Sequence, residues 1–144
     1  MKQLSFLVLM LGLTHYSCNR TNTVVPETLA GNWRMIIVRV NATGSITTKP
    51  PSITGEVEIT FTPESTTNGS FIGRTPTNDI MKNDYSIGDN QSISIPVLSM
   101  TKVAETSWGN EFVDNIISSQ EYSFENCYTL KIRTANKTLT FKKR

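Results

Sequence analysis

The hydrophobic positions of this chain recur mostly with a period of two, and once with a period near four. Glu56 to Thr62 alternates, with Val57, Ile59 and Phe61 on one side and Glu56, Glu58, Thr60 and Thr62 on the other, which predicts a half-buried strand. Tyr128 to Arg133 and Thr138 to Lys142 repeat the pattern, with Leu130, Ile132, Leu139 and Phe141 inward. Arg34 to Val40 is apolar on both faces and reads as a covered strand, while Ser70 to Arg74, Tyr85 to Ile87, Ser92 to Leu98 and Glu121 to Phe124 read as shorter ones. Asn41 to Ile53, with Gly44, Pro50 and Pro51, reads as a loop, and Thr75 to Asp84 is polar and irregular. The exception to period two is Thr106 to Ser118. There Trp108, Phe112 and Ile116 recur every fourth residue with Val113 and Ile117 beside them, and Asn110, Glu111, Asp114 and Asn115 fall on the other face. That stretch predicts one short helix, with Ser107 placed to cap its first turn. About eight strands and one helix predict a mainly β, α+β domain: a single antiparallel, curled or barrel-like sheet with the helix packed on it over one opening.

The front of the chain changes the picture from fold to compartment. Met1 and Lys2 lead into an apolar run from Leu4 to Leu13, which has the length of a signal-peptide core and is too short to span a bilayer. The run ends at Thr14-His-Tyr-Ser-Cys18, which resembles the lipobox of bacterial lipoproteins, where the cysteine is acylated and becomes the new N-terminus. Of the residues before Cys18 only Ser17 has the usual small size; an ordinary signal peptide cut nearby is the alternative. We read residues 1–17 as a lipoprotein signal peptide, 18–28 as a polar tether with acylated Cys18, and 29–144 as the folded domain. By resemblance to lipoprotein sorting rules, Asn19 after the cysteine and the lack of an acidic patch imply an outer-membrane anchor facing the periplasm.

Cleavage before Cys18 removes His15, the only histidine, and with it the usual general base, the Ser or Cys triad and the ordinary zinc site. With no nucleophile elbow, phosphate loop or metal-ligand cluster in the sequence, we expect no enzymatic activity and no cofactor. With Cys18 acylated, Cys127 would be the sole thiol, and it reads as incidental. Lys and Arg total 14 against 12 acidic residues and are scattered, so nucleic acid is not an expected partner. Five Asn-x-Ser/Thr triplets, at Asn19, Asn41, Asn68, Asn90 and Asn136, follow from a composition rich in those residues. Glu56 and Glu58 share a strand face; paired carboxylates for acid–base work are one reading and a solvated face the one adopted. Gly31-Asn-Trp33 resembles the opening strand of lipocalin-like barrels, whose Trp closes one end, though a Trp packed in any core would read the same way.

The second half of the chain resembles the META-domain family, the HslJ-like bacterial lipoproteins and their relatives. The residues that carry the resemblance are Phe71-Ile-Gly73, Asn78, Tyr85-Ser-Ile87, Ile95 to Met100 with Thr101-Lys-Val-Ala104, Trp108 with Glu111-Phe112, then Tyr122, Leu130 and Leu139-Thr-Phe141. Many members carry a cysteine before the Asn and another after the Thr-x-x-Ala motif, where this chain has Thr77 and Glu105, so a disulfide or paired-thiol role at those places cannot operate. The resemblance implies a single envelope-anchored β-domain, linked in some members to stress or antibiotic tolerance and without an established activity. From the residue types, Gly73 suits a close backbone approach, Asn78 a turn that it bonds itself, and Thr101 the capping of a strand end. Two functions follow as expectations. One is a monomeric, non-enzymatic lipoprotein, held to the membrane by its lipid, that supports envelope integrity by binding another envelope protein or component. The other is a lipocalin-like carrier of a small apolar ligand.

Overall fold

The computed structural model describes residues 28–144, so the signal peptide, Cys18 and most of the tether lie outside the described residues. The strands are β1 (Gly31–Val40), β2 (Ile46–Thr48), β3 (Glu58–Pro63), β4 (Asn68–Arg74), β5 (Asp79–Ile87), β6 (Ile93–Ser94), β7 (Ser119–Asn126), β8 (Thr129–Thr134) and β9 (Lys137–Lys143). They form one antiparallel sheet in the order β6-β5-β4-β3-β1-β9-β8-β7, with β2 added on β1. Two meanders, β3 to β6 and β7 to β9, are thus joined by β1, which pairs with β3 on one side and β9 on the other. A bridge between Ser92 and Glu121 brings the two ends together, so the sheet curls into a nearly closed barrel. The single α-helix, α1, spans Ser107–Ile116. The mainly β class, the curled sheet and the one helix agree with the sequence pattern.

The interior is filled by side chains rather than open. Trp33, Phe61, Phe71, Trp108, Phe112 and Phe141 are all buried, together with Leu130, Ile132 and Leu139 of the predicted inward stripes. Aromatic rings meet edge-on at Phe61–Tyr85 (5.2 Å) and Phe112–Phe141 (6.5 Å), the geometry their quadrupoles favour. Trp33 closes one end: its indole N–H donates to the Leu29 carbonyl (2.8 Å) and its ring packs on Phe124 (5.9 Å).

Several boundaries differ from the pattern, each for a stated reason. Thr106, not Ser107, caps α1, its hydroxyl accepting from the Gly109 N–H (3.1 Å). Ile117 lies past the helix and is exposed, while Asn115, expected on the polar face, is buried with its amide on the Glu111 carbonyl (2.9 Å). β2 lies inside the predicted loop because its three residues pair with the second half of β1 while all remaining exposed, so no buried stripe marks it. β5 begins at Asp79, six residues before the alternation becomes legible, because one of its inward positions is Asn83. The predicted strand Ser92 to Leu98 shrinks to β6, since Pro96 has no N–H to offer a ladder.

Gly73 stands opposite a bulge in β5, where the pairing of Phe71 with Asn83 gives way to that of Gly73 with Ile80. A Cβ there would lie 2.1 Å from the Glu58 carbonyl oxygen and 2.9 Å from Ile59 Cα, both backbone atoms that cannot swing away. Gly73→Ala is therefore expected to destabilise the fold by about 1–3 kcal/mol, read as a lower urea midpoint at unchanged slope.

Candidate functional site

The motif residues expected from the sequence converge on the β4–β5 turn and the segment that enters α1. Thr75 and Asn78 close that turn: the Thr75 N–H donates to the Asn78 carbonyl (2.8 Å), and the Asn78 N–H donates to the Thr75 hydroxyl (3.0 Å). The side chain of Asn78 bonds its own turn, as expected, through Nδ2 to the Thr77 hydroxyl (3.1 Å), and it also reaches about 25 residues along the chain. Its Oδ1 accepts from the Val103 N–H (2.7 Å) and the Thr101 hydroxyl (3.0 Å), and its Nδ2 donates to the Val103 carbonyl (2.9 Å) and Glu105 Oε2 (2.9 Å). Thr101 completes the seam by accepting from the Asp79 N–H (3.0 Å), the strand-end role expected of it. Asn83 repeats the device one turn on, exchanging two bonds with the Ser99 backbone (2.6 and 3.2 Å). Backbone bonds between Met81 and Ser99 and between Thr101 and Asp79 (both 3.0 Å), together with these side-chain amides, sew residues 99–103 along the edge of β5 beyond β6.

Glu105, a residue that the motif reading passed over except as a departure, is the hub. Its carboxylate accepts from Thr77 Oγ1 (2.8 Å), Asn78 Nδ2 (2.9 Å), the Thr106 N–H (2.8 Å) and the Thr75 hydroxyl. It also lies against the first turn of α1, so closely that a Cβ on Gly109 would sit 2.1 Å from Oε1. Thr77 and Glu105 are the two places where the family resemblance puts cysteines, and here a hydrogen bond joins them. Burial pushes the Glu105 carboxyl up, but the donors from Thr75, Asn78, Thr106 and Thr77 together outweigh it and hold the group below the usual glutamate range. A depressed folded-state pKa means stability that is present above the unfolded pKa and lost as pH falls through the folded one. Wild-type protein is thus expected to weaken on acidification below the ordinary glutamate range. Glu105→Gln should be less stable at neutral pH by about 2 kcal/mol and should lose that part of the acid sensitivity, measured by urea melts across pH.

The remaining expected residues make none of the bonds of this seam. Tyr85, Trp108 and Phe112 are buried in the core, and Ala104 is exposed on the segment before α1. Among the described residues, the Tyr85 hydroxyl and the Trp108 indole N–H are buried without a hydrogen-bond partner. Burial pushes the Tyr85 phenol up, with Tyr122 and Glu64 adding to it. Cys127, at the β7–β8 turn, is not the free thiol expected.

The reading of Glu56 and Glu58 as a solvated face needs correction. Glu58 is buried, bridged by Arg74 (2.7 Å to Nη2, 3.0 Å to Nε) and by the Arg144 guanidinium, while Glu56 is paired with Lys49 (2.7 Å). The two arginines lie over the outside of β3 and take water away from Glu58. Beside them is a solvent-open cleft of about 450 Å³ bordered by Thr60, Ile72, Asp79 and Met81. No group of three or more His, Cys, Asp or Glu side chains suited to a metal occurs among the described residues.

No family model and no curated protein matches the chain. It is similar to a solved NMR structure of a protein from Burkholderia xenovorans, at a TM-score of 0.55 and 16% identity over 79% of this chain and 81% of that one. That likeness is one of fold alone.

Proposed function

We propose that the protein is a non-enzymatic lipoprotein of the META/HslJ-like kind, anchored through Cys18 to the outer membrane on its periplasmic side, and that it supports envelope integrity by binding another envelope component with its outer surface. The observation that carries this reading is where the motif residues spend their bonds. Asn78 and Thr101 hold the β5 edge to the segment before α1, Gly73 packs against the β3 backbone, Trp108 and Phe112 are buried in the core, and the barrel interior is occupied by aromatic rings. What is left for recognition is the exterior. The contact between Thr77 and Glu105 supports the family reading, because relatives would place a cysteine pair there. The filled interior favours surface binding over the carrier alternative.

The first test is the intact mass of the protein extracted gently from its native membranes, under native and then denaturing conditions. A mass increment equal to diacylglycerol and acyl chains on Cys18 that survives denaturation is expected. Its absence would overturn the anchor. An increment lost only on denaturation would restore the carrier. The second test is a deletion strain, expected to be more sensitive to detergent and hydrophobic antibiotics; unchanged sensitivity would remove the integrity role.

A further inference from the structure

The cations of this chain look scattered in sequence but are gathered by the sheet. Strand register sets Arg74 opposite Glu58, Glu58 opposite Arg34, Arg34 opposite Lys142, and Lys142 opposite Thr129, so that one row crosses four strands and reaches a fifth on the outside of the barrel. Asp79 stands opposite Arg74 at the far end. Arg144 joins the row through Glu58, and Lys143 lies at its edge with its ammonium 5.3 Å from the centre of the Trp33 ring. Four cations of this face, Arg34, Arg74, Lys142 and Arg144, therefore meet two side-chain carboxylates, Glu58 and Asp79. Glu58 is already shared between Arg74 and Arg144, and neither Arg34 nor Lys142 has an ion-pair partner among the described residues. Next to the row, across the cleft, Ile72 and Met81 are 53% and 56% exposed. Uncompensated cations flanked by exposed apolar side chains are the composition of a surface that rests on anionic headgroups.

The position of the row relative to the chain entry gives it a direction. The backbone enters β1 at Gly31, where an added Cβ would lie 3.1 Å from Lys143 Cε, and the Arg144 N–H donates to the Asn32 carbonyl (3.0 Å). Entry point and cationic row thus share one end of the barrel. Asn19 to Thr28 are ten residues, a span of at most about 36 Å, so an anchor at Cys18 keeps this end near the bilayer.

We propose that the outer face around Arg34, Arg74, Lys142 and Arg144, with Ile72 and Met81, docks on the anionic phospholipid headgroups of the leaflet that holds the anchor. This would set the domain's orientation on the bilayer. The proposal rests on the lipoprotein reading only for its direction; the binding itself belongs to the folded chain. It is tested with the chain from residue 18 onward carrying Cys18→Ser, and therefore without lipid, by sedimentation with vesicles of phosphatidylcholine alone or with about one third phosphatidylglycerol. Binding to the anionic vesicles only is expected, falling as salt rises. Arg34→Gln with Lys142→Gln should weaken it about thirtyfold. Arg39→Gln with Lys102→Gln, which removes the same charge elsewhere, should change it little. Met81→Ser should weaken binding while leaving its salt dependence unchanged. Unaltered thermal melts would show each variant folded. Equal binding to both vesicle types, equal loss in the two double variants, or binding to soluble polyphosphate but not to vesicles would overturn the proposal. A failed mass test on Cys18 would leave this result standing and remove only its direction.

Discussion

Phe112→Ala is expected to destabilise the protein by about 3–5 kcal/mol, the usual cost of truncating a fully buried aromatic ring. Phe112 is the middle of the three residues by which α1 enters the core, and it meets Phe141 of β9 edge-on at 6.5 Å. The helix has only 10 residues, too few to be stable in water, so its order depends on that apolar face. The ion pair between Glu111 and Lys137 (2.6 Å) is half-buried and cannot replace the lost packing. A lower urea midpoint, with a red shift of tryptophan emission and faster amide exchange in residues 107–116 than in β8 and β9, is the expected result. A loss under 1 kcal/mol would mean that the ring contributes no more than a surface side chain.

The second large effect is expected at Asn78. Asn78→Ala removes an amide that serves both the N–H and the carbonyl of Val103 as well as Thr101 and Glu105, and it should cost about 2–3 kcal/mol. Asn78→Asp separates shape from hydrogen bonding. It keeps the acceptor that Val103 and Thr101 use but puts a second carboxylate beside Glu105 Oε2, where the amide had donated. Two like charges on one site raise a carboxyl pKa, so this variant should be weakest at neutral pH and recover towards acid, the reverse of the trend expected for Glu105 in the wild type. Parallel pH profiles for the two proteins would refute the geometry assigned to the seam.

The fold was legible wherever a side of a strand or helix was uniformly apolar. Leu130, Ile132, Leu139 and Phe141, and the Trp108, Phe112, Ile116 stripe, were placed correctly because burial imposes a period that no other requirement disturbs. It became illegible where polar side chains do structural work. Asn83 hid half of β5, Asn78 read only as a turn residue, and Glu105 only as a departure from the family pattern, because a buried amide or carboxylate is identified by partners some 16 to 27 residues away rather than by neighbours. Glu58 failed for the same reason in reverse. Its alternation with Val57 and Ile59 pointed outward correctly, but only the sheet brings Arg74 and Arg144 over it.

What the sequence determined by itself is what depends on local order: the class of the fold, the one helix, the inward stripes, and the close approach at Gly73, all consequences of period and of side-chain size. The tertiary structure alone decided what depends on register. Packing of the β4–β5 turn on the loop before α1 joins Thr77 to Glu105, the chain end after β9 brings a second arginine to Glu58, and strand pairing lines up Arg34, Arg74 and Lys142 from three distant segments into one cationic face. Charge and hydrogen-bonding capacity are properties of single residues, but a site arises only from their spacing in space, and in an antiparallel sheet that spacing is set across strands rather than along them.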